Sequence, residues 1–210
     1  MIPRIYINPG HSDRDPGAVG YETERRLNLA VSQHQKEYLL ANYECEVRMN
    51  PGTMDNLLDI CRDANEWGAH LITSNHNNAG GGDGYENYVY SQNNVELGKI
   101  FAKHVQAIGQ NLRSSDIAPG VKIQPGYIVL KHTNMPAIIN EGAFVDNQKD
   151  IADWDDEAEL KALGIAYAKA AAEFLKLEPK TPAQYYAKIG PFATKAEADA
   201  VVKALKTATM

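Results

Sequence analysis

The stretch His70-Leu-Ile-Thr-Ser-Asn-His-Asn-Asn78 decides the fold, because an apolar run passes directly into polar residues. A short apolar run of this kind is typical of a strand that is buried in a parallel sheet. The glycine-rich run 80–84 follows it and indicates a mobile loop. His76 is therefore predicted just past the end of a strand, at one edge of a sheet.

Further strands alternate with amphipathic helices on both sides of this stretch. The predicted strands are 2–8, 45–49, 70–74, 85–90, 127–130, 137–139 and 185–192. The predicted helices are 25–42, 54–67, 95–108 and a long final helix that contains Leu160 and Phe174. This alternation predicts an α/β domain of three layers, in which a central, mostly parallel or mixed sheet is flanked by helices. Sheets of this type bind ligands at the carboxyl ends of their strands.

The C-terminal part of the chain is predicted to form a separate unit. Residues 178–183 contain two prolines and are interpreted as a linker that follows a domain spanning 1–177. Residues 184–210 are predicted to be a short β–α fragment, whose helix begins with a capping box of Thr194 and Glu197. This fragment is too short to bury a core alone.

The composition is that of an ordinary globular protein and excludes some partners. The chain has 210 residues, of which 44% are hydrophobic and 23% charged, and a formal charge of −6. An acidic chain is not expected to bind nucleic acid, because phosphate binding needs a basic surface. No apolar run approaches the roughly 18 residues that cross a bilayer, so no membrane partner is expected. We expect a monomer.

The N-terminus and the cysteines indicate where the protein is made. The N-terminus leads directly into a predicted strand and lacks the apolar segment and cleavage site of a secretory signal. We therefore expect synthesis in the cytoplasm without a signal peptide, and exit, if any, by lysis or another route. Cys45 and Cys61 are expected to be reduced thiols. Neither has a CxxC neighbour, so a cysteine nucleophile is not favoured.

Four residues at or near predicted strand ends and helix starts carry the candidate chemistry: His11, Glu24, His76 and Glu141. Two imidazoles and a carboxylate form a ligand set for Zn²⁺ that leaves one coordination position open. A further carboxylate beside that position can take a proton from water. This combination favours a hydrolase. The spacing is too long for a helical HExxH motif, so the prediction depends on the sequence around each residue.

Three segments of the chain resemble those of a known family. They are Ile7-Asn-Pro-Gly-His11 with Asp15-Pro-Gly-Ala18 and Glu24 before Leu27-Asn-Leu29, then Ser74-Asn-His-Asn-Asn-Ala79, and then Pro136-Ala-Ile-Ile-Asn-Glu-Gly-Ala-Phe144. In this order they resemble the opening, the second histidine segment and the catalytic glutamate segment of the zinc-dependent type 3 N-acetylmuramoyl-L-alanine amidases. The resemblance covers about residues 3–176.

The resemblance implies that His11, Glu24 and His76 bind zinc, and that Glu141 is first the general base and then the general acid. The bond cleaved would join the lactyl carbonyl of N-acetylmuramic acid to the amine of L-alanine in peptidoglycan. Without a signal peptide, such an enzyme would be a phage endolysin or a sporulation-type autolysin. It would act on the cell wall after lysis or release.

Several alternatives stay open at this point. Glu22 lies two residues before Glu24, and either carboxylate suits the first turn of a helix. Asn77 and Asn78 are candidates for orienting the second histidine or for contacting substrate, and His132 is a candidate for contacting substrate. The same zinc ligands would serve a peptidase that cuts wall stem peptides. A non-catalytic wall-binding protein is the third hypothesis.

A few positions depart from the family pattern. Asn8 stands where an aspartate is common, Ser12-Asp13 replaces a usual glycine pair, Asn75 replaces an apolar residue, and Ile60 replaces a frequent arginine. None of these changes removes a ligand or the base. They bear on the surroundings of the site and on substrate specificity.

The C-terminal fragment carries a second, shorter resemblance. Tyr185–Phe192 followed by Lys195–Leu205 resembles the first strand and helix of a SPOR-type peptidoglycan-binding repeat. This resemblance implies that residues 184–210 are a partial SPOR-like module that binds glycan strands of the wall.

Overall fold

The framework is a six-stranded sheet, in a computed structural model that describes residues 2–181, 191 and 194–208. The strands are β1 (Arg4–Pro9), β2 (Glu46–Met49), β3 (Leu71–Asn78), β4 (Glu86–Val89), β5 (Val121–Ile123) and β6 (Ala137–Phe144). Their order in the sheet is β2-β1-β3-β6-β4-β5. Of these neighbours, β4 and β6 run antiparallel and the other pairs run parallel.

Helices cover both faces of this sheet and complete three layers. They are α1 (Glu24–Asn42), α2 (Leu57–Trp67), α3 (Val95–Gln106), α4 (Ile128–Lys131), α5 (Gln148–Ile151) and α6 (Glu157–Leu175). A further helix, α7 (Lys195–Ala208), belongs to a separate C-terminal unit. The helices α1, α3 and α6 pack on one face, and α2 and α4 pack on the other. The predicted α/β fold, with a mixed sheet flanked by helices, is confirmed.

Side chains of the central strands alternate between the two faces, because successive strand residues point in opposite directions. In β1, Ile5 and Ile7 join the core beneath α1 and α6, whereas Tyr6 joins the core beneath α2. All three side chains are fully buried. Burial on both faces explains why these strands are continuous apolar runs in the sequence.

Two elements that precede β6 differ from the prediction. The predicted strand 127–130 is wrong, because Ile128–Lys131 forms the short helix α4. Val129 and Leu130 are both buried in the core on the side of α2, whereas consecutive residues of a strand would point to opposite faces. Strand β5 was not predicted, since its three residues include Lys122 and give no apolar run.

The strands β3 and β6 run further than predicted, and this moves two candidate residues. His76 and Glu141 lie inside these strands, not just past their ends, so that part of the prediction was wrong. The hydrogen-bonded pairing of the strands continues through the polar residues, and a pattern of hydrophobic residues does not predict this continuation. The two residues are register partners on adjacent strands.

A buried chain of amide side chains crosses the sheet one residue before these partners. Asn140 of β6 donates to Oδ1 of Asn75 of β3 over 3.1 Å, and it accepts a hydrogen bond from the Tyr85 hydroxyl over 2.7 Å. Asn87 of β4 donates to the same hydroxyl over 3.2 Å. A register slip of one residue would leave these buried groups unpaired, so the chain of amides holds the strand alignment. It also explains why a polar Asn75 replaces an apolar residue.

The glycine-rich segment 80–84 is held by hydrogen bonds, which does not support its interpretation as a mobile loop. The amides of Gly80 and Gly81 donate to Oδ2 of Asp146 over 2.7 and 3.0 Å. The Gly82 carbonyl accepts a hydrogen bond from the Asn147 side chain over 2.7 Å. Positive φ angles at several of these residues explain the need for glycine.

The chain divides into two compact units, Met1–Lys180 and Thr181–Met210. In the second unit, α7 begins with the predicted capping box, since the Glu197 amide donates to Oγ1 of Thr194 and the Thr194 amide donates to the Glu197 carboxylate. The predicted strand 185–192 lies outside the described residues, except for residue 191. The assignment of this unit to a SPOR-like module stays a prediction.

Two further expectations concern cysteines and membranes. Cys45 and Cys61 are free thiols, as predicted. Within the described part of the chain, no helix has both the length and the apolar character needed to cross a bilayer.

Candidate functional site

His11 follows β1 in an uncommon backbone conformation. Its φ of 65° lies in the left-handed region, which residues other than glycine rarely adopt. The preceding Gly10 donates to the Asn75 carbonyl over 2.8 Å, and a Cβ atom at Gly10 would lie 2.3 Å from the ring of His76. The two histidines are thus brought together by a close approach that needs glycine. Strained residues held by their surroundings often occur at functional sites.

Glu24 begins α1 and places its carboxylate between the two imidazole rings. Oε2 lies 3.0 Å from Nε2 of His11, and Oε1 lies 2.9 Å from Nδ1 of His76. The Ala18 amide also donates to Oε2 over 2.9 Å. The first turn of α1 favours a negative charge. Because this carboxylate is buried, its charge must be balanced by the groups that contact it.

These three side chains can hold one metal ion. One ligand atom from each of His11, Glu24 and His76 lies within 4.8 Å of the other two. Nδ1 of His11 lies 2.8 Å from Oδ2 of Asp15, which leaves Nε2 directed at the cluster. A carboxylate partner of this kind orients metal-binding histidines. The donor set of two imidazoles and one carboxylate fits Zn²⁺.

The protonation of His11 makes metal binding by the cluster depend on pH. The hydrogen bond to Glu24, with a further one to Asp15, raises the pKa of His11 to about 9. Burial alone would raise the pKa of Glu24, but the hydrogen bonds from His11 and His76 hold it well below its usual range. A metal ion binds the unprotonated imidazole, so metal binding here would displace this proton and would weaken as the pH falls.

Glu141 points to the same face of the sheet as His76, its register partner on β3. Its Oε2 is buried and has no hydrogen-bond partner among the described residues. Burial, together with the negative charges of Glu24 and Glu86, raises the pKa of this carboxyl well above its usual range. A buried carboxyl with a free oxygen beside a metal-type cluster is suited to proton transfer.

The predicted substrate contacts have different surroundings. Asn77 is buried; its amide oxygen accepts from the Ala143 amide over 3.0 Å, and its amide nitrogen donates to a side chain of α1 over 2.9 Å. The two roles predicted for Asn77, orienting the second histidine and contacting substrate, both stay predictions. Asn78 donates to Glu86 over 2.9 Å, and His132 is exposed directly after α4. Their substrate contacts stay predictions.

The structure distinguishes between Glu22 and Glu24 as the candidate ligand, and it adds two residues, Asp15 and Glu86, to the site. Glu22 pairs with Arg26 over 2.7 Å, whereas Glu24 lies in the cluster. Sequence reasoning included Asp15 only in a segment that resembles the family and gave it no role, although an acidic residue four positions after a candidate ligand was a usable signal. It also missed Glu86, because its charged partners Arg113 and Lys122 are distant in sequence and left no local pattern.

Comparison with known proteins establishes the family. The family model described as N-acetylmuramoyl-L-alanine amidase matches residues 5–173. The chain belongs to this family. The N-acetylmuramoyl-L-alanine amidase CwlM of Bacillus licheniformis is 30% identical over 203 residues, which cover 94% of this chain and 79% of that protein. The endolysin of Bacillus phage SPP1 is 28% identical over 187 residues, which cover 86% of this chain and 69% of that protein.

The fold is also that of a solved amidase domain. The catalytic domain of the N-acetylmuramoyl-L-alanine amidase CwlV from Bacillus (Paenibacillus) polymyxa matches with a TM-score of 0.75 and 24% identity, over 84% of this chain and 100% of that one. Family membership makes this amidase an enzyme that acts on peptidoglycan, so the predicted enzyme class and substrate are confirmed. Zinc and the SPOR-like module stay predictions.

Replacing Asp15 by alanine is expected to weaken zinc binding by about 10–100-fold, because outer partners of metal-binding histidines have effects of this size. The variant loses the hydrogen bond that holds Nδ1 of His11. Competition with a chromophoric chelator measures the change in zinc affinity. Asp153→Ala, at an exposed aspartate between α5 and α6, is the matched control. Equal affinities for both variants would show that Asp15 does not orient the ligand.

Proposed function

We propose that this amidase uses zinc to hydrolyse the amide bond between the lactyl group of N-acetylmuramic acid and L-alanine. The observation that carries the proposal is the cluster of His11, Glu24 and His76, with the unpartnered carboxyl of Glu141 on the adjacent strand. The donor set would hold the ion, and Glu141 would move the proton.

The residues of the chain divide the reaction between them. When bound to the three ligands, zinc supplies Lewis-acid chemistry, which polarises an amide carbonyl and makes water acidic enough to lose a proton near neutral pH. Glu141 accepts that proton as the water attacks the carbonyl carbon. It then donates the proton to the alanine nitrogen as the C–N bond breaks. The raised pKa of Glu141 favours this second step, because a protonated carboxyl is needed.

A pocket beside the cluster offers room for part of the substrate. It has a volume of about 250 Å³ and combines the two histidines with apolar side chains of α2 and of the segment that leads into it. Met54, Leu57 and Ile60 form this apolar part. Ile60, which replaces a frequent arginine of the family, therefore changes a wall of the pocket from charged to apolar.

Removing and restoring zinc tests the proposal directly. Chelation is expected to abolish the turbidity loss of purified cell walls, and added zinc is expected to restore it together with new N-terminal L-alanine amines. The amines are measured by labelling and mass spectrometry of the released peptides. Stem peptides that are shortened but still attached to muramic acid would indicate a peptidase. Lysis that continues at full rate after complete removal of zinc would contradict the metal requirement.

A further inference from the structure

Charged side chains continue across the sheet beyond the proposed base. Glu86 of β4 is the register partner of Glu141 of β6, as His76 of β3 is on the other side. Lys122 lies on β5, next in the sheet, and pairs in register with Tyr88. His76, Glu141 and Glu86 therefore form one row, because register partners point to the same face. Tyr88 lies two residues after Glu86, so its partner Lys122 faces the same side of the sheet but lies two residues away from that row.

Glu86 is buried beneath two cations. Only 2% of this residue is exposed, and its Oε2 lies 2.6 Å from both Nε of Arg113 and Nζ of Lys122. Its Oε1 accepts hydrogen bonds from the Tyr88 hydroxyl over 2.7 Å and from Asn78 over 2.9 Å. Although burial opposes ionisation, these partners lower the pKa of Glu86, with Lys122 foremost.

The positive charge of the two cations exceeds the negative charge of this carboxylate. Glu86 contributes one negative charge, whereas Arg113 and Lys122 contribute two positive charges and keep 30% and 35% of their side chains exposed. Lys122 and Tyr88 also line a groove of about 540 Å³. Asp116 lines the same groove, but no ion pair among the described residues joins it to either cation. One positive charge therefore remains available to a ligand.

We propose that Arg113 and Lys122 bind a carboxylate of the stem peptide, on the residue that follows L-alanine. This inference rests on the proposed function, since it needs the scissile bond beside Glu141. Adjacent strands are about 4.8 Å apart, and both cationic groups lie 2.6 Å from Glu86 on β4, the strand next to β6. An extended peptide covers about 7 Å in two residues, which brings that carboxylate to the cations.

The proposed subsite also gives the substrate a direction. The stem peptide runs from Glu141 over β4 towards β5, and the glycan runs the opposite way, towards the pocket beside Met54 and Leu57. A substrate bound in the reverse sense would place sugar hydroxyls against Arg113 and Lys122, where a neutral group makes weaker hydrogen bonds.

The test compares two disaccharide-dipeptides that differ only in whether the carboxyl groups of the second residue are free or amidated. Lys122→Met is expected to raise KM for the free acid about 10-fold, as for one lost charge-assisted hydrogen bond, and to leave kcat within about 2-fold. KM for the amidated substrate stays unchanged. Arg113 still pairs with Glu86 in this variant, and Lys122→Arg is expected to restore binding. Lys99→Met, at an exposed position of α3, is the control.

The outcomes separate this inference from the proposed function. An unchanged KM for the free acid, or an equal rise for both substrates, would overturn the carboxylate subsite while the wild-type enzyme still releases alanine amines. Failure of the wild-type enzyme to release alanine amines from either substrate would overturn the proposed function and the subsite together.

Discussion

Replacing Glu141 by glutamine is expected to lower kcat by about 10³-fold while one zinc ion per chain stays bound. General acid–base groups contribute on the order of 10²–10⁴-fold to catalysis. Glutamine keeps the size of the side chain but can neither accept the proton of water nor return it to the alanine nitrogen. Glu141 is not part of the ligand cluster, so metal binding does not need it.

Alanine release from walls, measured with the zinc content of the same samples, separates a loss of proton transfer from a loss of bound zinc. Glu96→Gln, at an exposed position of α3, is the matched control and should behave as the wild type. Activity of Glu141→Gln within about 10-fold of the wild type would exclude Glu141 as the proton carrier.

Replacing Glu24 by glutamine is expected to remove zinc and activity together. The change removes the carboxylate of the ligand set, which contacts His11 and His76. The loss of zinc affinity should exceed the roughly 10–100-fold effect of an outer partner, because a direct ligand is lost.

Zinc retained after dialysis, measured by mass spectrometry, checks this result. Glu22→Gln is the matched control two residues away, since Glu22 contacts Arg26 and not the histidines. Loss of zinc in Glu22→Gln but not in Glu24→Gln would reverse the ligand assignment.

Hydrophobic patterning predicted most of the fold, because buried strands and amphipathic helices leave periodic signals. It failed where the signal is short or polar. The four-residue helix α4 was predicted as a strand, and the polar ends of β3 and β6 were cut off too early. The second error also hid the placement of Asn77. Because side chains alternate in a strand, Asn77, directly after His76 within β3, faces α1.

The candidate ligands were predictable because each lies in a sequence context that resembles the family. The contacts of Glu86 with Arg113 and Lys122 were not, because the two cations are far from Glu86 in sequence and approach it only in the folded chain. The choice between Glu22 and Glu24 also needed geometry, since both suit a helix start equally well.

The arrangement of the three ligands would make a bound ion a cross-link of the chain. Joining His11 to Glu24 closes a loop of about 14 residues, and joining Glu24 to His76 closes a loop of about 53 residues. A covalent bridge across a loop of about 15 residues restricts the unfolded chain by about 3 kcal/mol. Cys45 and Cys61 form no disulfide. A bound catalytic ion would therefore provide the cross-link that a disulfide bond provides in many secreted proteins.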